Sequence, residues 1–302
     1  MPRVAYGPWD EQNQNYANSG NANIGRWPMG TLLILPDERE YKFVLNDGTV
    51  EIAGNLYQAV AAVNDHRNRP VDVARAIDAV LASATLTGTA AGVDIYAEGV
   101  VHVNDEVGEG YSYRIRRADT SGAAHAAAVA SGVLTVNLQA GEQIQVALTT
   151  VSEVTFTRNR YHQVLITAAP PTALVAGVSP GVAALDRYYW AQVKGYAAVL
   201  ANLTLLAGLP VQADIAVAGA VETVKRRVRT GGTVTVIMPT SGVMPLTDQD
   251  GSIVVGVLSA RSVSSAADID ISGGIAINSP VLGMCVKANA STEFALIDLN
   301  IN

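Results

Sequence analysis

The sequence has little charge for its length. Only 16% of its 302 residues are Asp, Glu, Lys or Arg, whereas 49% are hydrophobic. A chain of this composition builds a buried core, so intrinsic disorder is excluded. The net charge of −7 argues against a dedicated nucleic-acid-binding protein. A surface with so few charges is typical of one that meets a partner.

Cysteine is nearly absent as well. The single cysteine, Cys285, excludes a disulfide within the chain, and we expect it to be a small buried hydrophobe in a strand. No run of about 18 apolar residues occurs, so no membrane span is predicted. The first residues contain no apolar core of signal-peptide length, which predicts a protein made in the cytoplasm.

What the sequence does contain is a long series of short β-rich runs separated by Gly, Pro, Asn and Asp. This pattern predicts a mainly β chain with two or three β-sandwich or barrel domains of jelly-roll-like form, one short helix and an extended N-terminal arm. The predicted segments are the arm at 1–29, a hairpin region with the helix at 30–84, a β-rich domain at 85–169 and a C-terminal barrel or sandwich at 170–302.

The predicted arm is rich in Asn, Gln and Gly and shows no periodicity. Such a segment orders only on another surface, for which Trp9, Tyr16 and Trp27 are natural anchors. The alternative is a loose terminus whose aromatic residues are incidental.

One stretch, "VDVARAIDAVLASA", has apolar residues at helical spacing. Val73, Ile77, Val80 and Leu81 would share one face, and Asp72 stands where a helix cap is expected. These residues predict the single helix of the chain.

The glycine pair in "GEGYSYRI" raises the question of a nucleotide-binding loop. A dinucleotide-binding loop needs three spaced glycines and a following helix. Here Tyr111, Tyr113 and Ile115 alternate with polar residues, which is a strand pattern. Gly108 and Gly110 are therefore predicted to form the turn of a β-hairpin.

No set of catalytic or metal-binding residues emerges. "GVSPG" matches a nucleophile motif around Ser179, but Pro180 has no N–H to donate and every histidine precedes the serine. "LTDQDGS" lacks the acidic end positions of a calcium loop. The four histidines are not at zinc-ligand spacing, and His66, beside Asp65, is expected in a solvated loop. We therefore expect no enzyme activity, cofactor or metal.

The only concentrated positive charge is "VKRRVRT", which contains Arg226, Arg227 and Arg229. One interpretation is an edge strand protected by charge against aggregation. The other is a contact with an acidic protein surface.

The order of several motifs is distinctive: "VNDEVGEGYSYRI", "GVLTVNLQ", "RNRYHQVLIT", "AGVSPG", "RYYWAQVKGYAAVL", "AGLPV", "AGAVE", "VVGV" and "FALIDLNI". In this order they resemble structural proteins of tailed double-stranded DNA phages, of the kind that form the outer decoration or cement layer of the head. The resemblance runs from about Gly30 to the C-terminus, without a counterpart for "ARAIDAVL". It brings no catalytic residue.

The resemblance implies a non-enzymatic protein on the outer capsid surface of a virion, a homotrimer that binds the major capsid protein and bridges coat subunits. Tyr188, Tyr189 and Trp190 are then candidates for a trimer seam or capsid contact, or alternatively for local core residues. The competing hypothesis is a tail, collar or fibre-associated protein that adheres to the host surface. A secreted adhesin is disfavoured by the missing signal sequence.

Overall fold

The computed structural model describes residues 27–118, 123–224, 280–288 and 293–301, together with the backbone of 4–6, 246–247 and 253–254. The chain divides into two compact units. The first comprises Met1–Val224 and Ser279–Asn302, and the second comprises Lys225–Asn278. Within the second unit, Leu246–Thr247 and Ile253–Val254 pair as antiparallel strands.

The described residues are mainly β, as predicted, and contain no α-helix. Within the described residues, one 3-10 turn covers Asn64–His66. No helix in the described part of the chain is long and apolar enough to cross a membrane. The strands are β1 (Val4–Tyr6), β2 (Leu32–Ile34), β3 (Glu40–Leu45), β4 (Leu56–Gln58), β5 (Arg69–Pro70), β6 (Leu81–Thr85), β7 (Val100–Asp105), β8 (Ser112–Arg114), β9 (Val133–Asn137), β10 (Glu153–Thr157), β11 (Leu165–Ile166), β12 (Val175–Val178), β13 (Tyr188–Leu200), β14 (Pro210–Ala213), β15 (Val221–Thr223), β16 (Leu246–Thr247), β17 (Ile253–Val254), β18 (Gly283–Lys287) and β19 (Phe294–Asn300).

A large curled sheet of eleven strands organises the first unit. Its main path runs β1-β2-β3-β13-β19-β18-β14-β15, and β4, β11 and β12 branch from β13. The long strand β13 is central because it pairs antiparallel with β3 through its first half and with β19 through its second. Ala295, Ile297 and Leu299 of β19 are buried and alternate with exposed or partly exposed residues, so one face of this part of the sheet covers a core.

Two smaller sheets lie between β4 and β11 in the sequence. One has the order β5-β10-β7-β8, and the other pairs β6 with β9. Side chains from both sheets fill one hydrophobic core around Tyr96, Phe156 and Leu134. The large sheet draws strands from both the 30–84 and the 170–302 segments, and the predicted domain boundaries themselves stay predictions.

The predicted "GEGYSYRI" hairpin is confirmed. β7 and β8 pair antiparallel, and Gly108 and Gly110 both have left-handed backbone angles in the connecting turn. Glycine is suited to both positions because it has no side chain to clash there. Tyr113 is buried, whereas Tyr111 precedes the strand and is exposed. Cys285 is buried in β18, as expected.

The predicted helix is wrong. Arg75 exchanges two backbone hydrogen bonds with Leu148, of 2.9 and 2.8 Å, so its peptide groups are committed to a neighbouring segment. Asp78 has a φ of 68°, which a right-handed helix does not allow. The would-be apolar face at Val73 and Ile77 is exposed. Tertiary pairing overrides helical spacing here.

Within the predicted arm, two stretches are described. β1 pairs in parallel with β2 at the end of the large sheet, with Val4 opposite Leu32. Residues 27–29 lead directly into that sheet, and Met29 is buried. The remainder of the arm, with Trp9 and Tyr16, lies outside the described residues.

Candidate functional site

Three of the aromatic residues predicted as contact sites, Trp27, Tyr188 and Trp190, come together around Phe43. Trp27 lies 5.6 Å from the Phe43 ring and 5.5 Å from the Trp190 ring, and Tyr188 stacks on Phe43 at 5.2 Å. Trp27 and Tyr188 are only partly buried. Their predicted roles as partner anchor and oligomer contact stay predictions.

Tyr189 and Trp190, by contrast, belong to the core of the chain. Trp190 is fully buried beside Leu33 and Phe43, and Tyr189 is buried beside Val44 and Tyr57. Neither ring presents a surface to a second chain. This burial favours the core alternative for these two residues, and the oligomer-interface assignment stays a prediction. Arg226, Arg227 and Arg229 lie outside the described residues.

The most unusual described surface is formed by two loops, 46–54 and 179–187, which we call the apolar loop pair. The side chain of Asn46 forms hydrogen bonds with both loops. Its Nδ2 donates to the carbonyl oxygens of Thr49 and Ala184 at 3.0 and 2.6 Å, and its Oδ1 accepts from Arg187 N at 2.6 Å. Glu51 N donates to Ala183 O at 2.8 Å. The loops are therefore held together by several hydrogen bonds.

Four apolar side chains project from this loop pair. Val50, Ile52, Val182 and Leu185 are each more than half exposed. The antiparallel bridge between Glu51 and Ala183 places the two loops side by side, so the four side chains belong to neighbouring segments of the chain. A cluster of exposed aliphatic residues is a candidate protein-contact surface.

The residue between two of them points the other way. Glu51 is fully buried, and neither oxygen of its carboxyl group has a hydrogen-bond partner. Burial raises the pKa of Glu51 to about 9, with Asp47 adding to the rise, so the group is neutral at pH 7. The nearby Tyr189 hydroxyl is also buried without a partner, while the Tyr57 hydroxyl accepts from Ile52 N at 2.7 Å.

The loop thus reverses the usual alternation, with a carboxyl group inside and aliphatic groups outside. In the free protein this arrangement is unfavourable for two reasons. The buried carboxyl group has no hydrogen-bond partner, and the apolar side chains are exposed to water. The second cost disappears when a partner covers Val50 and Ile52. The sequence analysis did not predict this site. The only hint in the sequence is the tripeptide "VEI", in which an acidic residue stands between two apolar ones.

A second surface lies on the outer face of β13 and β19. Tyr196 is 60% exposed and stands opposite Asp298, while Lys194 stands opposite Asn300. These residues line a groove of about 820 Å³. An adjoining groove of about 300 Å³ shares Tyr196 and Arg39 with it and is closed on one side by the exposed ring of Phe294.

The histidines are organised differently from the expectation. His66 is buried, not in a solvated loop: its Nδ1 lies 2.5 Å from the Tyr96 hydroxyl and its Nε2 lies 2.9 Å from Thr89 O. His125 Nε2 accepts from Tyr96 N at 3.0 Å. Among the residues that the structure describes, no three His, Cys, Asp or Glu side chains are placed to hold a metal ion.

Ser179 is buried, and its hydroxyl donates to Gly181 O at 2.6 Å. This bond gives the serine a structural partner within the loop pair. Separate comparisons with protein-family models, curated proteins and solved structures find no match to this chain.

Proposed function

We propose that this chain is a non-enzymatic decoration or cement protein on the outer surface of a tailed-phage head, where it binds the major capsid protein and bridges coat subunits. The observation that carries the proposal is the apolar loop pair. Its four exposed aliphatic side chains and its reversed alternation around Glu51 favour a surface that is covered by another protein.

The energetics suit a repeated, individually weak contact. Full burial of one aliphatic side chain contributes roughly 1.5–3 kcal/mol, and association costs a comparable or larger amount in lost freedom. One loop pair would bind the capsid weakly. A homotrimer would present several loop pairs, and once one is bound the others would be held near their sites at a high effective concentration. The small share of charged residues is consistent with a protein partner, and the negative net charge of −7 argues against nucleic acid.

The finer fold belongs to the same proposal. The two small sheets share the core around Tyr96 and Phe156, which supports a β-sandwich domain. The curled large sheet supports a barrel-like second domain of jelly-roll type. A rigid β body of this kind would hold the loop pair in a fixed orientation on the lattice.

The proposal is tested by measuring how the purified protein binds to heads made by a phage whose gene for this chain has been deleted. Ile52→Asp places a charge in the loop pair, and Val129→Asp makes the same change at an exposed valine outside it. We expect Ile52→Asp to weaken head binding by about tenfold or more, equal to about 1.4 kcal/mol. The Val129→Asp variant should bind like the parent protein. Equal binding of both variants would overturn the assignment of this surface.

The second candidate, host-surface adhesion by a tail or fibre-associated protein, is favoured by the Tyr196 groove. An exposed aromatic ring can stack on the apolar face of a sugar while Asp298 and Asn300 bind its hydroxyl groups. Gold-labelled antibody on intact virions separates the two functions. Label over the head supports the cement role, whereas label on the tail, with glycan binding lost in Tyr196→Ala, supports adhesion.

A further inference from the structure

The groove on the outer face of β13 and β19 has more acidic than basic side chains. Three carboxylates and two cations line it: Asp37, Glu38, Asp298, Arg39 and Lys194. Both cations already hold a carboxylate. Arg39 Nε lies 2.6 Å from Asp37 Oδ2, and Lys194 Nζ lies 2.7 Å from Glu40 Oε1 of β3. The negative charge of the groove is therefore only partly balanced by the protein itself.

Asp298 is the open acceptor of this groove. Its neighbours Ile297 and Leu299 are buried, whereas Asp298 is exposed on the outer face of β19. Among the residues that the structure describes, no ion pair includes Asp298, and its carboxylate forms no hydrogen bond with another side chain. Glu38 is exposed as well and belongs to none of these ion pairs. Both carboxylates are accessible to a ligand.

An aromatic ring stands directly beside the open carboxylate. Tyr196 is 60% exposed and pairs with Asp298 in the antiparallel register of β13 and β19. Opposite residues of such a pair project to the same face, with Cβ atoms about 4.5–5.5 Å apart. A cation that lies on the Tyr196 ring therefore also reaches the carboxylate of Asp298.

A second exposed ring lies further along the same face. Phe294 is 44% exposed and pairs with Leu200, four residues beyond Tyr196 on β13, which is about 13 Å along the strands. Its ring packs directly on Gly54, where an added Cβ would lie 2.4 Å from the ring carbon Cε1. The small side chain of Ala198 lies between the two rings and lines the adjoining groove with them.

We propose that this groove binds an extended basic segment of a partner polypeptide, with an arginine on Tyr196 beside Asp298 and an apolar side chain against Phe294. A guanidinium group stacks on an aromatic ring and pairs with both oxygens of a carboxylate. In an extended chain, residues four apart point to the same side and are about 13 Å apart, which matches the spacing of the two rings.

The charge of the groove favours this partner over a neutral sugar. An unpaired carboxylate next to an aromatic ring attracts a cation, whereas a neutral hydroxyl group gains less from it. None of the four aliphatic side chains of the apolar loop pair is in the described lining of the groove. The proposal therefore concerns a separate contact and does not require binding to a phage head.

The test is calorimetric titration of the full chain at low salt with a blocked peptide, Arg-Ala-Ala-Ala-Leu. The matched control peptide carries citrulline in place of arginine, which keeps the shape of the side chain and removes its charge. We expect the citrulline peptide to bind at least about fivefold more weakly. Added sodium chloride should weaken binding of the arginine peptide, because the charges are exposed.

Two variants locate the contact. Asp298→Asn should weaken binding of the arginine peptide about fivefold and reduce the difference between the two peptides. Asp78→Asn removes an exposed carboxylate outside the groove, at a positive φ that asparagine tolerates, and should bind like the parent. The unfolding midpoint of each variant shows that it is folded.

Three results would overturn the proposal: no binding of the arginine peptide to the parent, equal binding of the two peptides, or undiminished binding to folded Asp298→Asn. Titration with a neutral linear oligosaccharide distinguishes the other class of ligand. Binding of the oligosaccharide without binding of the peptide would also overturn the proposal and support the sugar-binding function.

Discussion

At the residue scale, Glu51 is the clearest conflict between sequence chemistry and location. Its carboxyl group is buried with both oxygens unpaired, and its native pKa of about 9 lies far above the ordinary value of 4.5. The native state therefore binds a proton that the unfolded chain releases. Its contribution to stability is complete below about pH 4.5 and is lost as the pH rises towards 9.

The expected result is a stability that declines with pH because of this residue. Between pH 5 and 9, each pH unit should lower the free energy of unfolding by up to about 1.4 kcal/mol through Glu51. Glu51→Gln cannot ionise, so its decline over this range should be shallower than that of the parent. Urea unfolding at several pH values measures both slopes. Glu109→Gln, at an exposed position, is the control, and parallel curves for parent and Glu51→Gln would contradict the expectation.

Among the residues that the structure describes, Trp190 is the largest fully buried side chain, and it contacts Phe43 and Trp27. Trp190→Ala should lower the free energy of unfolding by about 3–5 kcal/mol, because a large cavity opens under the sheet. Leu174→Ala, at an exposed leucine, should change it by less than about 0.5 kcal/mol. Chemical denaturation measures both. A Trp190→Ala protein as stable as the parent would contradict the core assignment.

At the element scale, one buried side chain forms hydrogen bonds with both loops of the apolar loop pair. Asn46 is fully buried and bonds to three backbone groups from both loops. Asn46→Ala leaves these groups without their partner, and each buried unpaired group costs about 1–3 kcal/mol. We expect a loss of about 2–4 kcal/mol in unfolding free energy and faster hydrogen exchange at the Arg187 amide.

The matched control for that change is Asn64→Ala, at an exposed asparagine. It should leave both stability and Arg187 exchange unchanged. Slower or unaltered exchange of the Arg187 amide in Asn46→Ala would contradict the role given to the Asn46 side chain in protecting that amide.

The segment 71–84 shows why the spacing of its apolar residues wrongly predicted a helix. Its apolar residues recur at helical intervals, but Arg75 pairs with Leu148 and Asp78 N donates to Ile144 O at 2.9 Å. Asp72 accepts a hydrogen bond from the Ser83 hydroxyl instead of capping a helix. Leu81 then begins β6, whose partner β9 lies about fifty residues further on. A pairing of that range is invisible in a local pattern.

At the scale of the whole molecule, the N-terminal segment is predicted to couple neighbouring subunits. β1 pairs with β2 alone, at the end of the large sheet, so deleting residues 1–26 leaves the other described strand pairs intact. We expect the truncated protein to keep its β circular-dichroism spectrum. Heads decorated with it should lose heat stability relative to heads decorated with the full chain.

That comparison is made by heating decorated heads and following the release of DNA. The unfolding midpoint of the free truncated protein is the control, because a large fall there would mean that the deletion damages the fold itself. Equal heat stability of both kinds of head would contradict a coupling role for the segment.

The sequence by itself determined the β class, the hairpin at "GEGYSYRI" and the buried strand position of Cys285. These follow from local rules: alternation of apolar residues, glycine in left-handed turns and the low polarity of a thiol. The trimer and capsid roles rest on the resemblance in motif order and stay proposals.

Only the tertiary structure decided which residues face inwards. It placed β13 at the centre of the large sheet, Tyr189 and Trp190 in the core, and Glu51 inside with Val50 and Ile52 outside. Alternation has a period of two and reads the same on either face, so a local pattern cannot choose between them. That choice comes from distant partners such as Ala183, which fixes the loop of Glu51 from more than a hundred residues away.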